Sequence, residues 1–191
     1  MENATIVFLK SFFKRPRQTG AIAPSSRQLA QAMVARADLG HARFVVELGP
    51  GTGAFTGAIL AALPRGADFL AIERNPELVT FLRRRLPQAN VVCDDAAHLW
   101  RHIAERAAPP SAVFCGLPLS WLPAGERDAV LDAVAAVLPL GGTLTLFQYI
   151  HAAGTPPGRQ VQRELARRFR RVERYPTWWN LPPAYVLHCV R

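Results

Sequence analysis

The chain has 191 residues, half of them hydrophobic and 19% charged, which suits one globular domain and excludes a disordered polypeptide. Its 23 basic and 14 acidic side chains give a formal net charge of +9, which favours anionic partners such as nucleic acid or acidic lipid. Because it has no apolar run of transmembrane length and no signal-peptide pattern at its start, we expect a cytoplasmic protein. Cys93, Cys115 and Cys189 fit no metal-binding spacing and are predicted to be buried thiols.

The chain opens with a segment, residues 4–15, whose periodicity predicts an amphipathic helix. Its apolar side chains share one arc, and its basic side chains lie on the opposite side. Two interpretations stay open: a helix packed on the domain with a solvated basic face, or an interfacial helix on anionic lipid. The residues expected to contact the membrane in the second case are Ile6, Phe8, Leu9, Lys10, Phe12, Phe13, Lys14, Arg15 and Arg17.

Two further elements lead to the centre of the chain. Residues 19–24 show neither helical nor strand periodicity and are predicted to form a linker. A capping box at residues 25–28 then predicts the start of a second helix, which ends at Gly40.

The central motif is an apolar run that ends in Glu47 and is followed by Gly49, Gly51 and Gly53. The pattern then becomes helical, which predicts a buried strand that turns sharply into a helix. Glycines let such a loop take positive φ angles, and the helix N-terminus offers unpaired N–H groups to a ligand. The carboxylate of Glu47 would repel a pyrophosphate but suits a cation, so the motif favours S-adenosylmethionine over a nicotinamide dinucleotide.

Strands and helices alternate through the rest of the chain, which predicts a parallel sheet with helices on both faces. The last two strands have no helix between them, so we expect them to form an antiparallel hairpin at one edge. The strands predicted after the glycine loop are residues 68–73, 90–93, 112–115, 143–149, 172–175 and 184–190.

Acidic residues end the first three predicted strands, at the sheet edge where open α/β sheets bind ligands. Any one of them would equally serve as a solvated acid or a helix cap. Glu73 follows the glycine loop by about 20 residues, the distance at which an acid can hold both ribose hydroxyls. Asp94 or Asp95 could accept a hydrogen bond from an adenine amino group.

Several segments resemble known enzymes. Residues 47–53, Glu-Leu-Gly-Pro-Gly-Thr-Gly, resemble the first motif of class I S-adenosylmethionine-dependent methyltransferases, and Glu73 matches their ribose-binding acid. Residues 20–26, 116–119 and 179–184 together resemble bacterial phospholipid N-methyltransferases, which convert phosphatidylethanolamine stepwise to phosphatidylcholine.

The resemblance implies a Rossmann-like, doubly wound sheet of seven strands whose last strand is antiparallel, preceded by N-terminal helices. It implies a membrane-binding helix over residues 1–18 and a methyltransferase domain over residues 19–191. The expected partners are an anionic phospholipid surface and phosphatidylethanolamine, without nucleic acid or metal. We expect a monomer that is peripheral on the inner leaflet of the plasma membrane.

The resemblance and the strand ends together give the candidate site residues. The candidates for binding S-adenosylmethionine are Ser25, Glu47, Gly49, Pro50, Gly51, Thr52, Gly53, Glu73, Arg74, Asp94, Asp95, Ala96, Cys115 and Gly116. The candidates for binding the substrate are Leu117, Pro118, Trp121, Trp179 and Asn180. A lipid amine must be deprotonated before it attacks the methyl group, and Tyr149 and His151 are the candidate bases, although His151 could also be a plain surface residue.

Two other functions stay open. One is methylation of RNA adenine at N6, which the positive charge favours. Against it, Gly116 and Leu119 stand where the related adenine dimethylases carry an asparagine and an aromatic residue. The other is a lipid-binding protein that has lost its methyl-donor site, against which the intact glycine loop and Glu73 argue.

Overall fold

The computed structural model describes residues 22–104, 106–180 and 182–191, with side chains from Arg27 onward. The predicted amphipathic segment, residues 4–15, lies outside this range, as does the side chain of Ser25. The membrane contacts expected for that segment therefore stay predictions. Within the described residues, no helix combines the length and the apolar character needed to cross a membrane.

The described chain alternates helices with strands from start to end. The α-helices are α1 (Ile22–Arg36), α2 (Thr56–Ala62), α3 (Pro76–Arg85), α4 (Leu99–Ile103), α5 (Ala124–Val137), α6 (Ile150–Ala153) and α7 (Pro156–Arg168). The strands are β1 (Phe44–Leu48), β2 (Asp68–Glu73), β3 (Val91–Cys93), β4 (Ala112–Cys115), β5 (Thr143–Tyr149), β6 (Arg171–Thr177) and β7 (Ala184–Val190). Short 3-10 turns precede β1 and α4, at Leu39–His41 and Ala96–His98.

The strands form one seven-stranded sheet in the order β3-β2-β1-β4-β5-β7-β6. Strands β1 to β5 are parallel, and β7 runs antiparallel between β5 and β6. This confirms the predicted fold class, including the antiparallel hairpin at one edge. The strand order reverses beside β1, so the carboxyl ends of β1, β2 and β4 meet at the switch point.

A hydrophobic core covers each face of the sheet. On one face α5 packs Val130, Leu131 and Val134 against the strands, and on the other face α1 contributes Leu29 and Met33. All five residues of β1 are buried, which explains its continuous apolar run. The two cores fix the strands, so the loops at their carboxyl ends are held on a rigid platform.

Two local predictions are wrong. Helix α1 begins at Ile22, so residues 22–24 are helical and the capping box does not start the helix. Pro24 lies in the first helical turn, where its missing N–H is not needed, and the segment therefore reads as a linker although it is helical. Cys93 is exposed because it ends the short edge strand β3, whereas Cys115 and Cys189 are buried as predicted.

Candidate functional site

The glycine loop after β1 is held against the end of β2. Gly49 and Gly51 have φ angles of 66° and 59°, in the region that favours glycine. The Gly49 N–H donates to the Ile72 carbonyl at 2.9 Å, and the Gly51 N–H donates to Oε2 of Glu73 at 3.1 Å. A Cβ atom on Gly49 would lie 2.4 Å from Cδ2 of Leu117. The loop therefore needs glycine for its backbone angle and for its contact with the loop after β4.

The loop after β4 contacts the glycine loop through its backbone. The Gly116 N–H donates to the Leu48 carbonyl at 2.8 Å. A Cβ atom at position 116 would lie 2.5 Å from the carbonyl oxygen of Gly49. Because that neighbour is backbone, no side chain fits at position 116 without moving one of the two loops.

A cleft of about 320 Å³ opens where these loops meet the ends of β2 and β3 and the start of α5. Of the predicted cofactor residues, those that line it are Gly49, Glu73, Arg74, Asp95 and Ala96. Leu117, predicted to bind the substrate, also lines this cleft. The remaining predicted residues of the glycine loop are not among those that line it: Pro50, Gly51 and Gly53 are buried, and Thr52 is half-buried. The Cys115 thiol is buried at the end of β4, and burial raises its pKa to about 12.

Glu73 is positioned to hold a pair of hydroxyl groups. It ends β2 and is almost fully buried. Its Oε1 accepts from the Asn75 N–H at 2.9 Å, and its Oε2 accepts from the Gly51 N–H at 3.1 Å. Each carboxylate oxygen can accept further hydrogen bonds, so the two oxygens can receive the adjacent hydroxyls of a ribose.

Glu47 is a buried carboxyl that lacks a hydrogen-bond partner within the described residues. It has no exposed surface, and neither of its oxygens is paired there. Burial raises its pKa from 4.5 to about 8, against a smaller lowering by the neighbouring Thr56 hydroxyl. That hydroxyl makes no hydrogen bond of acceptable geometry in the described chain. An unpaired buried carboxyl is costly, and a cationic ligand such as the ammonium of S-adenosylmethionine would offset this cost.

The two aspartates after β3 have different surroundings. Asp95 lines the cleft, where its Oδ1 accepts from the Ala97 N–H at 2.9 Å and its Oδ2 lies 3.4 Å from Nη1 of Arg74. Asp94 is not among the residues that line the cleft. Its two oxygens bond to Nδ1 of His98 at 2.9 Å and Nε2 of His102 at 2.8 Å. These hydrogen bonds lower the pKa of Asp94 to about 2, and the bond to His98 has a larger effect than the bond to His102.

His98 is a cleft residue that the sequence analysis did not identify. The signal that could have found it is its spacing from Asp94 and from His102, four residues in each direction, which places the three side chains along one helical face. The cluster ties the wall of the cleft to α4.

A second and much smaller hollow, of about 10 Å³, lies beside the cleft, at the end of β5. It is lined by the loop after β4 and by the last residues of β5, with Pro118, Trp121 and Tyr149 among them. The Tyr149 ring centroid is 5.9 Å from that of Trp121 and 5.6 Å from the stacked imidazole of His151. Burial raises the pKa of Tyr149, so its phenol keeps its proton near neutral pH. The structure therefore brings four of the predicted residues, Pro118, Trp121, Tyr149 and His151, to one place.

Gln148 joins the walls of this hollow and was also not identified from the sequence. Its Nε2 donates to Oγ of Ser120 at 2.9 Å and to the Gly158 carbonyl at 3.0 Å. Its Oε1 accepts from Nε2 of Gln162 at 2.9 Å. It is buried on β5, so it locks the loop after β4 against the start of α7.

Trp179 and Asn180 lie in the connection between β6 and β7. The Trp179 side chain is 83% exposed. Asn180 is buried, and its Nδ2 donates to the Pro182 carbonyl at 2.6 Å, within its own loop. Neither residue is among those that line the cleft or the hollow.

The sheet, the glycine loop, Glu73 and the buried Glu47 suit an α/β protein that binds a nucleoside-bearing, cationic ligand at the switch point. A family model described as a methyltransferase domain matches residues 45–142. This match and the relatives described next show that the chain belongs to the class I S-adenosylmethionine-dependent methyltransferases. Its cofactor is S-adenosylmethionine.

Among curated proteins, the chain is 30% identical over 190 residues to an ornithine lipid N-methyltransferase from Singulisphaera acidiphila. That alignment covers 96% of this chain and 94% of the relative. A ribosomal RNA small subunit methyltransferase A from Chlorobaculum tepidum is 30% identical over 148 residues, and a trans-aconitate 2-methyltransferase from Delftia acidovorans is 31% identical over 117 residues. These two alignments cover only 45% and 42% of the relatives.

Solved structures show the same fold at low sequence identity. The N-methyltransferase NodS from Bradyrhizobium japonicum, in complex with S-adenosylhomocysteine, has a TM-score of 0.67 at 16% identity, covering 87% of both chains. CalS10 from Micromonospora echinaspora, an amino pentose methyltransferase with bound S-adenosylmethionine, has a TM-score of 0.65 at 15% identity, covering 96% of this chain and 97% of that one.

Proposed function

We propose that the protein transfers methyl groups from S-adenosylmethionine to the amine of a membrane lipid. We further propose that it converts phosphatidylethanolamine stepwise to its mono- and dimethylated forms and to phosphatidylcholine. The observation that carries the proposal is the similarity to an ornithine lipid N-methyltransferase over nearly the whole of both chains. Phosphatidylethanolamine and ornithine lipids share a primary amine in the headgroup, so the relative supports the class of substrate.

The residues at the switch point fit the cofactor. Glu73 would hold the ribose, Asp95 and His98 would flank the adenine, and the buried Glu47 would face the cationic methionine portion. When bound, S-adenosylmethionine supplies an electrophilic methyl group on a sulfonium. The protein needs to provide alignment of the amine with that methyl group and a route for a proton.

The hollow at the end of β5 is the proposed acceptor site, because one loop borders it and the cleft together. Leu117 lines the cleft, and the next residues, Pro118 to Trp121, line the hollow. Each methylation removes an N–H donor from the amine, so a site for all three products cannot rely on hydrogen bonds alone. The aromatic faces of Trp121 and Tyr149 suit a nitrogen that becomes a quaternary ammonium, through cation–π attraction.

His151 is the proposed proton acceptor. A lipid amine is mostly protonated near pH 7 and must lose a proton before it attacks. The Tyr149 phenol keeps its own proton, because burial raises its pKa, and its oxygen can only accept a hydrogen bond from the amine. The exposed imidazole of His151 stacks on Tyr149 and can pass the proton to water.

We also propose that the enzyme works as a monomer on an anionic membrane, at the inner leaflet of the plasma membrane. The formal net charge of +9 supports attraction to such a surface. The pattern of residues 4–15 supports an interfacial helix, whose aromatic side chains would enter the lipid while its lysines and arginines meet the headgroups.

The main alternative is methylation of RNA adenine, which the similarity to ribosomal RNA methyltransferases favours. Two observations weigh against it. The RNA relatives are matched over less than half of their length. The adenine dimethylases carry an asparagine where this chain has Gly116, and the Gly49 carbonyl, 2.5 Å from a Cβ atom at that position, leaves no room for one.

The test offers all candidate acceptors with the same labelled cofactor. The purified chain is incubated with labelled S-adenosylmethionine and phosphatidylglycerol vesicles that contain phosphatidylethanolamine or ornithine lipid, and separately with ribosomal RNA or trans-aconitate. We expect label in the lipid fraction, and we expect phosphatidylethanolamine to be a better acceptor than ornithine lipid. Glu73→Gln, which removes the ribose-binding carboxylate, is the control for cofactor-dependent transfer. Label in RNA or in the small acid, with none in lipid, would rule out the proposal.

A further inference from the structure

The structure carries two exposed tryptophans that the proposed reaction does not use. Trp178 is 64% exposed and Trp179 is 83% exposed. Both lie in the connection between β6 and β7, which we call the tryptophan loop and whose described residues are 178–180, 182 and 183. Exposed apolar side chains that lie next to each other, unlike single ones, mark surfaces that contact another molecule or a membrane.

The tryptophan loop stands at the same sheet edge as the proposed acceptor site. Thr177 pairs with Ala184, and Ala184 pairs with Tyr149 at the end of β5. The Ile150 N–H, one residue past Tyr149, donates to the Pro183 carbonyl at 3.0 Å. The loop is therefore attached directly to the rim of the hollow.

The tryptophan loop is also held in shape from within. Asn180 is 5% exposed, and its Nδ2 donates to the Pro182 carbonyl at 2.6 Å. The buried amide and the hydrogen bond from Ile150 fix the turn that carries the two rings. A fixed turn presents the rings outward at little cost in conformational entropy.

The same edge carries arginines without a carboxylate partner among the described residues. Nη1 of Arg85 donates to the Thr52 carbonyl at 3.0 Å, and Arg159 donates to the Gly154 carbonyl. Both side chains are exposed, and neither forms an ion pair with a described carboxylate. Arg85 therefore brings positive charge to the glycine loop, and Arg159 brings positive charge to the segment that follows β5.

Glu126, which lines the cleft, lies 3.7 Å from Nη1 of Arg74, and Glu77 in the first turn of α3 is exposed. The other acidic side chains here are buried or lie close to a basic group. Glu47 and Glu73 are buried, and Asp95 lies 3.4 Å from the guanidinium of Arg74. The surface here therefore combines exposed indole rings with arginines that have no carboxylate partner among the described residues. Indole rings prefer the headgroup level of a bilayer, and arginines are attracted to its anionic lipids.

We propose that the tryptophan loop is a membrane-docking surface that seats the mouth of the acceptor site on an anionic bilayer. Trp178 and Trp179 enter the headgroup region, and the flanking arginines contact acidic lipid. Docking at this edge brings the headgroup amine to the hollow without removing the lipid from the bilayer. The inference rests on the proposed function for its choice of lipid as the partner, and it adds a second contact beside the one expected from residues 4–15.

The test measures docking on vesicles that hold no lipid with a free amine. The full chain, the double variant Trp178→Ala/Trp179→Ala and the control Trp100→Ala are mixed with vesicles of phosphatidylglycerol and acyl-brominated phosphatidylcholine. Trp100 is an exposed tryptophan on α4, at the opposite flank of the sheet. Sedimentation gives vesicle affinity, and quenching of tryptophan fluorescence by bromine reports ring insertion. Calorimetric binding of S-adenosylhomocysteine checks that each variant is folded.

We expect the double variant to lose about tenfold or more in vesicle affinity and most of the quenching, since each indole can bury roughly 150–250 Å². We expect Trp100→Ala to match the parent chain. Docking of the double variant equal to that of the parent, or an equal loss in Trp100→Ala, overturns the inference. Because these vesicles offer no acceptor amine, the measurement reports docking alone. A chain that docks here but methylates no lipid in the activity assay would refute only the proposed function.

Discussion

The buried carboxyl of Glu47 gives a prediction that can be worked from the structure. Glu47→Gln keeps the shape of the side chain but removes its titration. Burial raises the pKa of Glu47 from 4.5 to about 8 in the folded chain. The folded chain therefore retains a proton that the unfolded chain releases between those two pH values.

The sign of the stability effect follows from this difference in proton binding. The unfolding free energy of the parent chain is therefore highest below pH 4.5, and this advantage is lost as the pH rises through about 8. A pKa difference of this size corresponds to at most about 5 kcal/mol of unfolding free energy. We expect Glu47→Gln to unfold like the parent chain near pH 5 and to be more stable by a few kcal/mol above pH 8.

Glu47→Gln should stabilise the fold at high pH but weaken the binding of the cofactor. A cationic ligand favours the ionised carboxylate, so binding of S-adenosylmethionine to the parent chain should release a proton below pH 8. Its affinity should then rise toward pH 8, by at most about tenfold for each pH unit. Glu47→Gln should bind the cofactor more weakly and lose this pH dependence.

Urea denaturation and titration calorimetry between pH 5 and pH 9 would measure both effects. Buffers of different ionisation enthalpy would count the protons released on binding. Glu77→Gln, which changes an exposed carboxylate on α3, is the matched control and should follow the parent chain. If Glu47→Gln also tracks the parent chain in stability and in proton release, Glu47 is neither protonated when buried nor paired with the cofactor.

Two further predictions concern the loop after β4 and the acceptor site. Gly116→Ala should lower the unfolding free energy by about 1–3 kcal/mol and weaken binding of S-adenosylhomocysteine, because the added methyl group meets the Gly49 carbonyl. The control in urea denaturation is Gly57→Ala on α2, which should cost nothing because a Cβ atom there meets nothing within 4 Å. Equal unfolding free energies of the two variants would contradict the reasoning. His151→Ala should lower kcat at pH 7 by about 10²-fold or more, with the loss shrinking toward pH 9 as more amine is deprotonated in solution. Tyr149→Phe, which keeps the ring, should lose less than about tenfold at either pH, and a pH-rate profile in which the losses are reversed would make Tyr149 the proton acceptor.

The fold was predictable because its signals are local and agree with one another. The apolar run of β1, the glycines after it and the absence of a helix between the last two strands each have one interpretation. Glu73 could be assigned because its distance from the glycine loop follows from one βαβ unit. These features depend on residues that are close in sequence or separated by a single crossover.

The features that were missed depend on contacts between distant segments. The sequence does not distinguish Asp94 from Asp95, and only the packing of α4 turns Asp94 toward two histidines and leaves Asp95 in the cleft. Gln148 alternates like any strand residue, and its role follows from contacts with Ser120 and Gly158. The steric role of Gly116 depends on the approach of two loops, 67 residues apart in the chain, to within hydrogen-bonding distance.

The tryptophan loop shows how an assignment by resemblance can be refined. The motif at residues 179–184 indicated the family and suggested that Trp179 and Asn180 bind substrate. In the structure, Asn180 donates a hydrogen bond within its own loop and Trp179 is 83% exposed. Their role in binding substrate stays a prediction. Trp179 is exposed and its neighbour Asn180 is buried, and the sequence alone could not predict this difference.

The most direct test of the account is the chemical identity of the lipid product. The purified chain is incubated with S-adenosylmethionine and vesicles of phosphatidylglycerol and phosphatidylethanolamine, and the extracted lipids are separated by headgroup and identified by mass spectrometry. The account predicts monomethylated phosphatidylethanolamine first, followed by the dimethylated lipid and phosphatidylcholine, with none formed by Glu73→Gln. Unmodified phosphatidylethanolamine in the presence of active cofactor turnover on another acceptor would contradict it.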